Sequence, residues 1–231
     1  MSNGEELGWS EDDYEEELRT SFFSDCPERA LVSLATSFAR SLIEDSPIFE
    51  VPGPEPEAQK THLLLAAQLT STRMLRAARA ATASLSIGYE PEARALIRIM
   101  VELAPHAEYW QTDPTGELAR EWLDGKHEYG VTKKVAEILD RGIYKELCID
   151  AHGDPRSLFA LMDPNDFTIS MGPDRTMNSR TYLLVITDAV VESSRLLARQ
   201  FNSDSEKHFA LLDEERAKAW KQLREERETS R

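Results

Sequence analysis

LLLAAQLTSTRMLRAARAATASLSIGYEPEARALIRIM, residues 63–100, decides the fold. Before Gly88, Leu63, Ala66, Ala67, Met74, Ala77, Ala78, Ala81 and Leu85 recur at helical spacing and collect on one face. Arg73, Arg76 and Arg79 fall on the opposite side. This spacing predicts one long helix from Pro56 to Ile87, closed by Gly88. Tyr89 and Glu90 make a short turn, and Pro91 opens a second helix that runs to about Thr112. Two long helices joined so briefly should be antiparallel neighbours. The many alanines of the first let a neighbouring helix approach closely.

Working outward, the same period returns. Leu31, Leu34, Ala35, Phe38 and Leu42 mark a helix between Pro27 and Pro47. A helix restarts at Asp113-Pro114-Thr115 and stops at Gly125, and a short one covers 131–141. The segment IYKELCIDAHGDPRSLFALM, 143–162, reads as helix, break at Gly153, helix. Tyr182, Leu183, Ile186, Ala189, Val190, Leu196 and Leu197 form a strong stripe over 179–202, and Phe209, Leu212, Trp220 and Leu223 a last one. Apart from a brief strand at Phe167–Ser170, no alternating pattern occurs, and no internal repeat is present. The expected fold is an all-α helical bundle built on the antiparallel pair of about 56–87 and 91–112. Short helices, one long irregular loop at 163–178 and a C-terminal helix pair complete it. Residues 1–26 read as an acidic flexible arm, and 27–231 as a single helical domain with a Pro-rich linker at 46–56.

Charge is spread unevenly over the 231 residues. The net charge is −15, and residues 1–28 alone, with ten acids against Arg19, supply −9. Residues 60–101 instead hold Lys60, Arg73, Arg76, Arg79, Arg94 and Arg98 against Glu90 and Glu92, a net of +4. Overall acidity weighs against broad coating of nucleic acid, yet a basic middle leaves room for a local anion site. No run approaches a membrane span, and the acidic first residues, MSNGEELGWSEDDYEEEL, lack the apolar core of a secretory signal. Cys26 and Cys148 have neither metal nor redox spacing. Reduced thiols in a cytoplasmic protein, with no cofactor, are the expectation.

Chemical motifs are sparse. None of His62, His106, His127, His152 and His208 follows a glutamate by three residues, so the carboxylate–histidine pattern of a di-iron bundle is missing and no metal site is expected. Glycine-rich phosphate loops and a G-x-S-x-G elbow are also missing. The second long helix is more informative. On its polar side Arg98, Glu102, His106 and Tyr109 lie within an arc of roughly 80°. Arg98 and Glu102 are an i,i+4 pair. Pro105 has no N–H, which deprives the Val101 carbonyl of its helical donor and predicts a kink or restart. The strip is either the solvated face of an ordinary amphipathic helix or a buried pair facing a pocket.

The block EARALIRIMVELAPHAEYWQTDP, 92–114, resembles a segment of uncharacterised bacterial all-helical proteins grouped with the HEPN-like helical bundles. There Leu-x-Arg-x-x-x-Glu leads to aromatics and an Asp-Pro turn, matched here by Leu96, Arg98, Glu102, Tyr109, Trp110, Asp113 and Pro114. Tyr144, Cys148 and His152 are similar to a second segment of that group, and Gly172-Pro173 to a loop before a long helix. The resemblance covers about residues 60–200. It implies a ribonuclease-like effector of bacterial stress or phage defence as one function. Active members carry Arg followed after four to six residues by His, and Arg120 with His127 is the match here. His152 is preceded by Lys145 rather than arginine, which departs from that pattern.

Three expectations follow. The first is an anionic partner, RNA or nucleotide, bound through Arg98, Glu102, His106, Tyr109, Tyr144 and His152. The second is the ribonuclease, with the acidic arm covering the basic helix pair. The third is a homodimer that buries the Ala-rich helix and the Phe209–Leu223 stripe.

Overall fold

The structure, a computed structural model, describes residues 26–46, 55–87, 89–126, 145, 147–148, 179–200 and 205–229, with side chains for all of these except 55–60, 106, 108 and 111. Among the described residues there are six helices and no strand. They are α1 (Pro27–Asp45), α2 (Glu55–Ser86), α3 (Glu90–Gln111), α4 (Glu117–Leu123), α5 (Ser179–Gln200) and α6 (Glu206–Thr229). The expected all-α bundle is what forms. The acidic arm, the helices at 131–141 and 143–162, the loop 163–178 and its strand lie outside the described residues, apart from 26, 145, 147 and 148.

All eight apolar positions predicted for the α2 face are buried, with Ala66, Ala78 and Ala81 at 0% exposure. Small side chains bring the α3 and α5 backbones close on that side, and α2 packs against both. On α3 the buried set is Ala93, Ile97, Met100, Val101, Ala107 and Trp110. Pro105 lies inside α3, which continues through it to Gln111. The expected restart at this proline does not occur: Pro105 is itself buried, between buried Val101 and Ala107. Tertiary packing of that face holds the turn together despite the missing N–H donor.

α5 is the axis of the bundle. It packs against α1, α2, α3 and α6, and fifteen of its 22 residues are buried. A helix covered nearly all round must satisfy its own hydroxyls. Thr187 Oγ1 donates to the Leu183 carbonyl at 2.9 Å, and Ser194 Oγ to that of Val190 at 2.7 Å.

Polar links fix the directions. Gln68 on α2 donates to Ser46 Oγ just past α1, and Ser71 donates to the Ser193 carbonyl on α5. At the opposite end Ser179 donates to Glu90, and Arg180 donates to Glu28. One end of the bundle therefore gathers the starts of α1, α3 and α5 with the end of α2. α2 and α3 run antiparallel, as their short connection requires. α4 begins later than expected. Asp113 to Gly116 form a turn in which Asp113 Oδ1 accepts from the Thr115 N–H at 2.9 Å. Gly116 follows at φ 76°, the left-handed region that favours glycine, and only then does the helix start.

Candidate functional site

The α3 strip is a row of ion pairs within one helix. Arg98 Nε donates to Glu102 Oε1 at 2.7 Å, with the two side chains 17% and 32% exposed. One turn earlier, Arg94 sits 3.6 Å from Glu90, whose side chain is only 3% exposed and also accepts from Ser179 Oγ at 3.2 Å. The strip is thus neither open to water nor sealed, and each arginine has a carboxylate supplied by its own helix. Tyr109 is half-buried, and its carbonyl accepts from the Thr112 hydroxyl at 2.7 Å. Of the six candidates, the structure brings together Arg98 and Glu102 and places Tyr109 further along the same helix. The side chain of His106, and Tyr144 and His152 entirely, lie outside the described residues. Nearby, the buried Trp110 Nε1 has no hydrogen-bond acceptor among the described residues, and its ring lies 6.5 Å from that of Trp122.

A different cationic surface emerges on α2. Arg73, Arg76 and Arg79 are all exposed. None has a carboxylate within ion-pair distance among the described residues, whereas Arg40, Arg94, Arg98, Arg120, Arg180, Arg195 and Arg216 each have one. At about 100° per residue the three guanidinium stems fan over roughly 120°, with about 9 Å of helix axis between first and last. Leu69 projects into the same arc and is 48% exposed. Three arginines without a carboxylate in reach among the described residues, on a chain of net charge −15, make a local positive field. Their exposure also leaves their donors open to a phosphate or carboxylate.

The other charged clusters join helices. Glu28, 1% exposed, accepts from Arg180 Nη2 at 2.7 Å and from Cys26 Sγ at 3.0 Å, and Arg180 reaches on to Glu226 of α6. Burial pushes the Glu28 carboxyl up, but the hydrogen bonds from Arg180, from Cys26 and from the backbone together hold it below the ordinary glutamate value. Between α5 and α6, Arg195 and Arg216 both hold Asp213, at 2.6 and 2.7 Å, and Trp220 Nε1 donates to Asp188 at 3.0 Å. Every group in these clusters has a structural partner. Among the described residues, no three His, Cys, Asp or Glu side chains group as metal ligands do. Arg120, the arginine of the ribonuclease-like spacing, is exposed and bonded to Glu117 at 2.5 Å, while His127 lies outside the described residues.

Arg73, Arg76 and Arg79, expected on the side opposite the apolar face of α2, are exposed there, while the binding residues expected on α3 include a self-paired Arg98 and Glu102. The three arginines of α2 stand at i, i+3, i+6 inside the +4 segment. Among the described residues, carboxylates lie beside Arg94 and Arg98 of α3 at a spacing the sequence shows, and none lies within ion-pair distance of the three arginines of α2, which spacing alone could not show. No known family model, curated protein or solved structure matches the chain.

Proposed function

We propose that this chain is a cytoplasmic helical-bundle protein that binds a phosphate-bearing partner, RNA or nucleotide, and that Arg73, Arg76 and Arg79 on α2 are its primary contacts. The observation that carries this reading is the contrast between the helices. The arginines of α3 already have carboxylates at 2.7 and 3.6 Å, while those of α2 are exposed without one among the described residues. An incoming anion at α3 must displace Glu90 or Glu102. At α2 no described carboxylate has to be displaced, and release of counterions favours binding. Two free cysteines, and no described helix long and apolar enough to cross a membrane, are in keeping with the cytoplasmic setting.

Fluorescence anisotropy with a short labelled single-stranded RNA and a labelled nucleotide tests the reading. Three neutralised phosphates predict a slope of log K against log salt of about −2, from roughly −0.7 per contact on a single strand. Arg73→Glu, Arg76→Glu and Arg79→Glu together should abolish binding, and Arg98→Ala should leave it within about twofold, as expected for a self-paired arginine. Full affinity in the triple variant overturns the assignment, and loss on Arg98→Ala moves the site back to α3.

A further inference from the structure

We infer that the arginine face of α2 has a partner within this same chain: the acidic segment of residues 5–17, which docks on it and competes with an external anion. The inference rests on the proposed binding role of that face and adds its regulation.

Four observations converge. The first is charge. Residues 5–17 contain eight carboxylates and no basic residue, and they meet a face whose three arginines have no carboxylate in reach among the described residues. Coulombic attraction favours pairing of these groups, and the other described arginines named above already have acids. The second is chemistry beyond charge. Trp9 and Tyr14 lie within the segment, and arginine planes stack on aromatic faces for about 0.5–1 kcal/mol at exposed sites. Leu69, 48% exposed in the same arc, offers the apolar contact that a plain polyanion site lacks.

The third is reach. Glu28 and Glu90 are tied to Arg180 and Ser179, adjacent residues at the start of α5. The chain therefore enters α1 at the end of the bundle where α2 finishes. From there Arg79 and Arg73 lie about 10 and 20 Å back along α2, at 1.5 Å per residue. The nine residues from Leu18 to Cys26 span up to about 30 Å, which covers both distances. The fourth is side. Gln68 of α2 donates to Ser46 at 2.5 Å, which puts α1 against that flank of α2. Gln68 is only about 20° around the helix from Arg79. The arginine arc therefore borders α1, the helix that residues 5–17 precede.

Zero-length carbodiimide coupling of full-length protein, mapped by mass spectrometry, tests the docking. Arg73→Lys, Arg76→Lys and Arg79→Lys keep the charge and supply the amines that the reagent needs. Lys218, 2.8 Å from Glu214, is a built-in positive control. The expected result is coupling of the new lysines to acids within 5–17, strong at 50 mM NaCl and suppressed at 0.5 M. A mixture of 15N-labelled and unlabelled chains should give links within one isotopic species. Coupling only to other acids, or only between species, overturns the inference.

A second arm separates this failure from failure of the binding role. Changing Glu11, Asp12, Asp13, Glu15, Glu16 and Glu17 to their amides should tighten RNA binding about tenfold, because a tethered competitor acts at millimolar effective concentration. Coupling without any RNA affinity, even in the amide variant, leaves the docking standing and removes the proposed function. RNA binding through the three arginines without coupling does the reverse.

Discussion

Glu28 sits on the first turn of α1, 1% exposed, with a guanidinium from a helix 152 residues away as its main partner. Removing one member of a buried pair typically costs roughly 3–5 kcal/mol because the other charge stays behind. Arg180 keeps 30% of its side chain exposed, which softens that penalty. We expect Arg180→Ala to cost about 2 kcal/mol in urea denaturation, more than the roughly 0–1 kcal/mol of a surface pair such as Arg40 with Glu44. The pH dependence has a definite sign. The folded Glu28 carboxyl titrates below its ordinary value, so its stabilisation is complete above about pH 4.3 and is lost as pH falls through the lower folded value. Glu28→Gln should therefore flatten the acid limb of a stability profile below about pH 4. Cys26 shares this node. Burial and the Glu28 carboxylate push its thiol up to about 11, so alkylation in the native state at pH 8 should run about a hundredfold slower than after unfolding. A rate equal to that of the unfolded chain would contradict the part-buried Cys26–Glu28 contact. Legibility at this scale follows chain distance. Arg98 and Glu102 could be paired from the sequence because one helical turn separates them. Glu28 and Arg180 could not, since nothing local in either segment specifies the other.

α2 and α6 show what periodicity conveys about an element and what it omits. All eight positions expected on the α2 face are buried, because a long regular helix turns one side to the core, while buried Thr70, Ser71 and Leu75 are not among them. Ala81, at 0% exposure, tests how closely neighbours pack there. Ala81→Leu should cost about 2 kcal/mol through overpacking against its neighbours, where the same change at exposed Ala80 should be neutral. α6 was legible as a helix, but not in how it is held. Its buried residues are Phe209, Leu212 and Leu223, a thin seam for 24 residues, and the stripe is covered by α1 and α5 of its own chain. Phe38 stacks on His208 and meets Phe209 edge-on, and Arg195 lies 5.1 Å above the Phe209 ring. Much of the remaining attachment is ionic, through Asp213, Arg216 and Glu226, beside hydrogen bonds from Trp220 to Asp188 and from Arg227 to Thr181. Hydrogen exchange should show this directly. Raising NaCl from 50 mM to 1 M should speed exchange in α6 while α2 and α5 stay protected, since screening weakens part-exposed pairs and leaves apolar packing intact. The late start of α4 has a comparable cause. Asp113 uses its carboxylate for the turn before Gly116, a choice that propensity alone does not reveal.

At the scale of the whole molecule, two salt effects act in opposite directions, and their balance can be argued from charge. The chain has 42 acids against 27 lysines and arginines, so self-repulsion opposes compaction at neutral pH. Ion pairs that bridge helices are local and few by comparison, and a pair that is part-exposed contributes roughly 0–1 kcal/mol. Repulsion extends over the whole surface and is screened first, because most like charges lie further apart than the Debye length of about 10 Å at 0.1 M salt. Global stability should therefore rise with NaCl between 20 and 200 mM even as α6 loosens. A relief of about 1 kcal/mol corresponds to a Tm gain of about 2–4 °C for a chain of this size. Reversing Arg73, Arg76 and Arg79 to glutamate shifts the net charge by two per residue, from −15 to −21. No described ion pair is broken by these reversals, so a drop in Tm at 20 mM NaCl must come from the added field and from repulsion of the acidic segment 5–17, both of which salt screens. That drop should largely disappear by 200 mM. Scanning calorimetry of both proteins across this range decides the matter. A deficit that persists at high salt would mean that the three arginines make short-range contacts that hold the fold, and the α2 face would then be structural rather than a surface for anionic groups.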